Sequence, residues 1–236
     1  MRWLLLFILT ASLFADDYTI GRDPSYYPYN FKEKTEYVNG YFNQLFEEIG
    51  KKENVAFEIV DAGTVALLSG LAQKEYDGAL SVALLTSKNL DRYAFSTSLL
   101  DLGPVLVVPK QSKAKHLSDF EGGIVGISPF NNSVFIAQKY RTLIIRPYMS
   151  LTLALESLAR GEIDLVLLPA LGAHELINNR FSQTLKIVSP PLNHDAVRLI
   201  TLKEEKKTLI KLINKTVKAF KSNSHLKEMQ MKFCIY

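Results

Sequence analysis

Leu71-Ala72-Gln73-Lys74-Glu75-Tyr76-Asp77 and Leu158-Ala159-Arg160-Gly161-Glu162-Ile163-Asp164 are two versions of one phrase. Each runs from a leucine at the end of a helical apolar pattern, through a polar turn, to an aspartate at the entry of a buried strand. The step from Leu to Asp is six residues in both. A phrase repeated in this way predicts two similar α/β halves. It also gives Asp77 and Asp164 a shared role in the fold, not the roles of a paired acid and base.

Outward from the first copy, Tyr18 to Gly21 reads as a strand, followed by the polar and aromatic turn Arg22-Asp23-Pro24-Ser25-Tyr26-Tyr27-Pro28-Tyr29. Phe42, Leu45, Phe46 and Ile49 recur at the period of an amphipathic helix. Val55 to Val60 reads as a strand, Leu67, Leu68 and Leu71 as a helix, and Ala79 to Val82 as a buried strand. Around the second copy, Ile124 to Ile127, Leu143 to Arg146 and Ile163 to Leu168 read as strands. A short helix carries Val134, Phe135 and Ala137, another follows Ser150, and a third runs from Ala170 to Asn178. The final 36 residues read as one or two helices, with Cys234 expected to be buried in the last. Strand and helix in alternation predict an α/β fold with mostly parallel sheets covered on both faces. Asp101-Leu102-Gly103 and Ser189 to His194 are the polar hinge candidates.

Composition narrows the classes. The chain has 236 residues, 47% apolar and 22% charged, with one Cys. It can bury a sizeable core and has no internal disulfide and no multi-thiolate metal site. Nine Lys and three Glu lie between residues 200 and 236, which leaves residues 16–199 net negative. The spaced lysines, without an aromatic stacking pattern, read as the wet face of terminal helices and not as a nucleic-acid surface. There is no Gly-rich phosphate loop, no GxSxG elbow and no HExxH pair. His116, His174, His194 and His225 each stand alone, so no catalytic set and no cofactor is indicated. Residues 1–15, MRWLLLFILTASLFA, carry Arg2, an apolar run and small residues before a cut after Ala15. This is a secretory signal pattern, with no Cys at the cut for a lipid anchor.

From Tyr18 onward the chain resembles the periplasmic solute-binding proteins of polar amino-acid ABC transporters, family 3. The resemblance rests on Ile20 to Tyr29 as the opening strand and ligand loop, Gly40-Tyr41-Phe42, Tyr76 to Ser81, and Leu85-Thr86 with Tyr93-Ala94-Phe95-Ser96. Gly161-Glu162-Ile163-Asp164 and Leu226 to Phe233 complete it. It implies a type II two-lobed fold with a signal peptide at 1–15, lobe one at 16–101 and 195–236, and lobe two at 102–194. It further implies a periplasmic, monomeric, non-enzymatic protein. Such a protein captures a small polar organic solute, of which an amino acid is one kind, and docks on an ABC permease in the inner membrane.

Carried over by position, the resemblance places the ligand site at Asp23, Tyr26, Tyr27, Thr64, Ser81, Thr86, Asn89, Phe130, Asn131 and Asn132. Asp23, Tyr26 and Ser81 fit the pattern. The family's carboxylate-clamping arginine falls on Asn89, its second ammonium-binding acid on Pro169, and an aromatic wall position on Thr64. Val82 and Leu84 replace polar members. An amide cannot supply the charge or the paired donors of a guanidinium. Three readings follow. Arg22 or Arg92 serves as the clamp; the solute is less charged, larger or more aromatic; or the cleft recognises a protein or peptide. A dehydratase-like enzyme is the remaining alternative. Each residue also has a purely structural role open to it, Asp23 as the cap of the turn at Pro24 among them.

Overall fold

A computed structural model describes residues 16–26, 31, 34–127 and 133–235. The proposed export segment, Tyr27 and the stretch Phe130-Asn131-Asn132 lie outside the described residues.

The first sheet uses β1 (Asp17–Arg22), β2 (Ala56–Asp61), β3 (Gly78–Ser81), β4 (Tyr93–Phe95), β5 (Leu100–Asp101) and β11 (Ala196–Leu202). Its order is β2-β1-β3-β11-β4, with β5 also paired to β11. The second sheet uses β6 (Pro104–Pro109), β7 (Ile124–Ile127), β8 (Ile144–Pro147), β9 (Leu165–Pro169) and β10 (Leu185–Ile187), in the order β10-β6-β9-β7-β8. Both sheets are mixed, not mostly parallel. The pairs β1–β2, β1–β3, β7–β8 and β7–β9 are parallel, whereas β11 runs against β3 and β6 against β9. The reason is topological: β6 and β11 are the strands that enter each sheet straight from a crossover, without a returning helix to reverse them.

Helices cover both faces of each sheet. In α1 (Thr35–Glu53), Val38, Tyr41, Phe42, Leu45, Phe46 and Ile49 form one buried stripe. That stripe packs on Ile20, Leu80 and Leu199 together with α7 (Lys207–Ser222) and α8 (His225–Lys232). The opposite face carries α2 (Thr64–Gln73), whose Leu67 and Leu71 meet Ala79 and Ile200. In the second half α5 (Leu151–Ala159) and α6 (Ala170–Leu176) cover one face, and α4 (Ser133–Ala137) lies on the other. The helix expected to reach Asn178 changes at Leu176 into a π-helical turn, Ile177–Phe181, that buries Ile177 and Phe181. Cys234 is exposed, against expectation. After α8 the backbone turns through a positive φ at Cys234, and Ile235 enters the core in its place.

The repeated phrase has one physical meaning in both halves. Asp77 Oδ2 accepts from Thr19 N at 2.9 Å, and Asp77 N donates to Thr19 O at 2.8 Å. Asp164 Oδ2 accepts from Ile124 N at 2.7 Å, and Asp164 N donates to Ile124 O at 3.0 Å. Each aspartate thus fastens the mouth of its own strand to the start of the neighbouring parallel one, satisfying backbone groups that the ladder leaves over.

The crossovers lie against each other. Leu102 N and Gly103 N donate to Asp195 O, and Leu192 N donates to Pro104 O. A Cβ on Gly103 would stand 2.2 Å from Asn193 Oδ1, so a larger residue there would displace the Asn193 side chain from its bond with Asp195 N.

Candidate functional site

The site begins where β1 and β3 end and the antiparallel β11 begins beside them. The parallel register sets Arg22 beside Leu80, so the next residues, Asp23 and Ser81, leave the sheet at the same edge. The antiparallel register sets Ser81 opposite Arg198. Strand β2 delivers α2 to the same edge, where Ala62 N donates to Arg22 O at 2.7 Å.

Asp23 is buried and holds its loop. One carboxylate oxygen accepts from Ser25 N at 2.9 Å and Ser25 Oγ at 2.7 Å, and the other accepts from Thr64 Oγ1 at 2.7 Å. Tyr26 N closes the turn on Asp23 O, with Tyr26 at a φ of 50°. This pairing brings two expected site residues together, Asp23 and Thr64, the latter exposed at the first turn of α2. Ser81 is also buried, and its Oγ accepts from Ala83 N at 3.1 Å, which leaves its hydroxyl proton available to a neighbour.

Other expected positions behave differently. The ring of Tyr26 is 2% exposed and lies against Phe31 and Phe42 in the α1 core. Burial pushes its phenol pKa well up, against the opposing charge of Arg22. Thr86 is the N-cap of α3 (Ser87–Arg92), accepting from Asn89 N, and Asn89 Nδ2 donates to Leu84 O at 2.8 Å. Both therefore shape the loop after β3. Pro169, at the junction of β9 and α6, has no carboxylate to offer.

The two arginines considered as a substitute clamp are placed differently. Arg22 is fully engaged: Nε and NH2 meet Asp61 Oδ1 at 2.7 Å, and NH1 donates to Asn43 Oδ1 at 2.9 Å. Its side chain serves the α1 side of the sheet. Arg92 is exposed and lies over the ring of Tyr93. Sequence reasoning passed over Arg198. The signal was present, since Arg198 is the one charge in the apolar run Ala196 to Leu202.

In the second sheet the corresponding edge is formed by the ends of β7 and β9. Ile127 is paired with Pro147 on β8 and Leu167 on β9, and Pro169 is paired with Pro104 at the crossover. Buried Ser133 opens α4 there, its Oγ 3.4 Å from Leu167 O. Both sheets therefore bring loop-bearing strand ends to the crossovers, the place where open α/β sheets take ligands. No group of His, Cys, Asp and Glu suited to a metal occurs among the described residues.

The comparisons with known proteins agree with this geometry. The family model for bacterial extracellular solute-binding proteins, family 3, matches residues 18–235. The histidine-binding periplasmic protein of Salmonella typhimurium is 29% identical over 109 residues, which are 46% of this chain and 42% of that protein. The match thus spans less than half the length of that relative. The L-cystine solute receptor of Neisseria gonorrhoeae, in its unliganded open conformation, superposes with a TM-score of 0.71 at 19% identity, covering 92% of each chain. The second substrate-binding domain of a putative amino-acid ABC transporter from Streptococcus pneumoniae gives a TM-score of 0.67 at 21% identity. It covers 92% of this chain and 99% of that one.

Proposed function

Since the chain belongs to the bacterial extracellular solute-binding proteins, family 3, we propose that it captures a small polar organic solute of the amino-acid class between its two halves and hands it to an ABC permease in the inner membrane. Residues 1–15 are the export signal on this reading, and the processed protein works as a periplasmic monomer. No helix among the described residues is long and apolar enough to cross a membrane. Lobe one comprises 16–101 and 195–236, and lobe two 102–194. The family and the fold are those of binding proteins, and capture without turnover is the expected behaviour.

The observation that carries the reading is the shared edge of Asp23, Thr64, Ser81 and Arg198 beside two adjoining crossovers. An ammonium would meet the Asp23 carboxylate and the Ser81 hydroxyl. Closure of the second half over it would strip water from the charge and strengthen those bonds. Tyr27, Phe130, Asn131 and Asn132, the remaining expected contacts, lie outside the described residues. The histidine and cystine proteins named above make those two amino acids the first probes.

A ligand that binds only the native form raises its melting temperature. Thermal-shift measurements with the twenty amino acids, L-cystine, short peptides and small organic acids should give a saturable rise with at least one of them. The rise should be lost in Asp23→Asn. No rise across the panel would contradict solute capture.

A further inference from the structure

Arg198 and Arg22 are each 7% exposed, yet only one of them has partners. Arg22 is held by Asp61 and Asn43. Among the described residues the Arg198 guanidinium makes no hydrogen bond and no ion pair within 4.0 Å. A guanidinium carries five donors in a fixed fork and does not shed its charge. Burying it without partners is unfavourable.

The nearest carboxylates are engaged elsewhere. Asp101, on β5, accepts from Ser98 Oγ. Asp195 Oδ2 accepts from Asn193 Nδ2 at 2.8 Å. Burial lowers the pKa of Arg198, and the charges of Asp101 and Asp195 only oppose that at a distance. The position is also specific. Directly opposed residues of an antiparallel pair share a face, so Arg198 lies on the side of Ser81. One step further into the sheet on that face, Ala79 and Ile200 are covered by Leu67 and Leu71 of α2. On that face Arg198 stands opposite Ser81, the last residue of β3, three residues after the crossover residue Asp195.

From these surroundings we infer that Arg198 is the anion-binding group of the site: its guanidinium takes the carboxylate of the solute, while Asp23 takes the cationic end. The inference rests on the capture reading above. It supplies the charge that Asn89 cannot, from a different strand, and makes the solute class a carboxylate-bearing one.

The test is calorimetric titration of wild type, Arg198→Met and Arg198→Lys with the twenty L-amino acids and L-cystine, each binder repeated as its carboxamide. Wild type should prefer acid to amide by about 10- to 100-fold, the range of charge-assisted hydrogen bonds. Arg198→Met should bind the acid weaker by a similar factor and no longer distinguish acid from amide, with Arg198→Lys between them. The unliganded melting temperature of Arg198→Met should match or exceed that of wild type, whereas a residue that only supports the fold would lower it. Equal binding of acid and amide by wild type, or unchanged discrimination in Arg198→Met, overturns the inference while leaving capture intact. If no amino acid binds wild type, amino-acid capture fails, and acetate becomes the probe. A saturable acetate-dependent rise in melting temperature, present in wild type and absent in Arg198→Met at matched ionic strength, supports the anion site. Identical responses overturn it.

Discussion

Arg22 shows what a structural arginine looks like in this fold. Its fork joins β2 through Asp61 and α1 through Asn43, and its stem is buried beside them. Arg22→Met should therefore lower unliganded stability by about 1.5–3 kcal/mol, the worth of hydrogen bonds to a charged group, as read from denaturant melts. No loss in those melts would show that the Asp61 and Asn43 bonds contribute nothing. Little in the sequence separates Arg22 from a site residue, because it precedes Asp23 in the very loop the site uses. Arg198 was hidden for the opposite reason: a charge inside an apolar strand reads as part of the strand, and only the register with Ser81 puts it at the edge. The strand ends that carry Asp23 and Ser81 were legible from pattern, whereas their candidacy as site residues came from the family resemblance. The packing of Tyr26 into the α1 core was not legible, because an aromatic after a strand suits either face. Glu53 illustrates a residue-level effect with a pH signature. The Thr216 hydroxyl at 2.6 Å, and then the Lys215 ammonium, hold its carboxyl below the usual range, against the effect of burial. A depressed pKa in the folded state stabilises fully above the unfolded carboxylate value of about 4.3 and is lost as pH falls through the folded one. Stability of wild type should exceed that of Glu53→Gln at pH 7, and the two should converge in acid. A gap that persists unchanged at low pH would contradict this account.

At the scale of elements, the repeated phrase fixes two helix-to-strand joints by the same aspartate device but closes the two helices differently. After α5 the positive φ of 74° falls on Gly161. After α2 the left-handed position, at a φ of 64°, falls on Lys74. A side chain there costs about 1 kcal/mol relative to glycine, only partly offset by the exposed pair of Lys74 with Glu205 at 2.8 Å. Lys74→Gly should raise stability by up to about 1 kcal/mol, and a lowered melting temperature would show that the ion pair outweighs the backbone. The placement of α2 matters to the site because Thr64, at its first turn, is fixed on Asp23. The helix reaches that position because Gly21 and Gly70 leave room for the ring of Tyr76, where a Cβ on either would stand 2.6 Å from it. Most helices and strands were readable from apolar period. The direction of β6 and β11 was not, since period carries no information on strand direction.

Over the whole molecule, the two sheets meet at crossovers that share backbone hydrogen bonds, Leu102 and Gly103 on one side and Asp195 on the other. On another side, α6 of the second half reaches the first, with Leu171 in the α1 core and Lys34 Nζ 3.5 Å from Glu175. A rotation of one half on the other must be absorbed by the few residues of the crossovers, since packed sheets do not bend. The two-part plan was legible in the repeated phrase, whereas the tight fit of Gly103 against Asn193 depends on two segments far apart in sequence. Small-angle X-ray scattering of the purified protein, titrated with the twenty amino acids and L-cystine, tests closure over a solute most directly. A saturable fall in radius of gyration with one or more of them, reached at one solute per chain and abolished in Asp23→Asn, is the predicted result. A radius of gyration unchanged throughout the panel would contradict it.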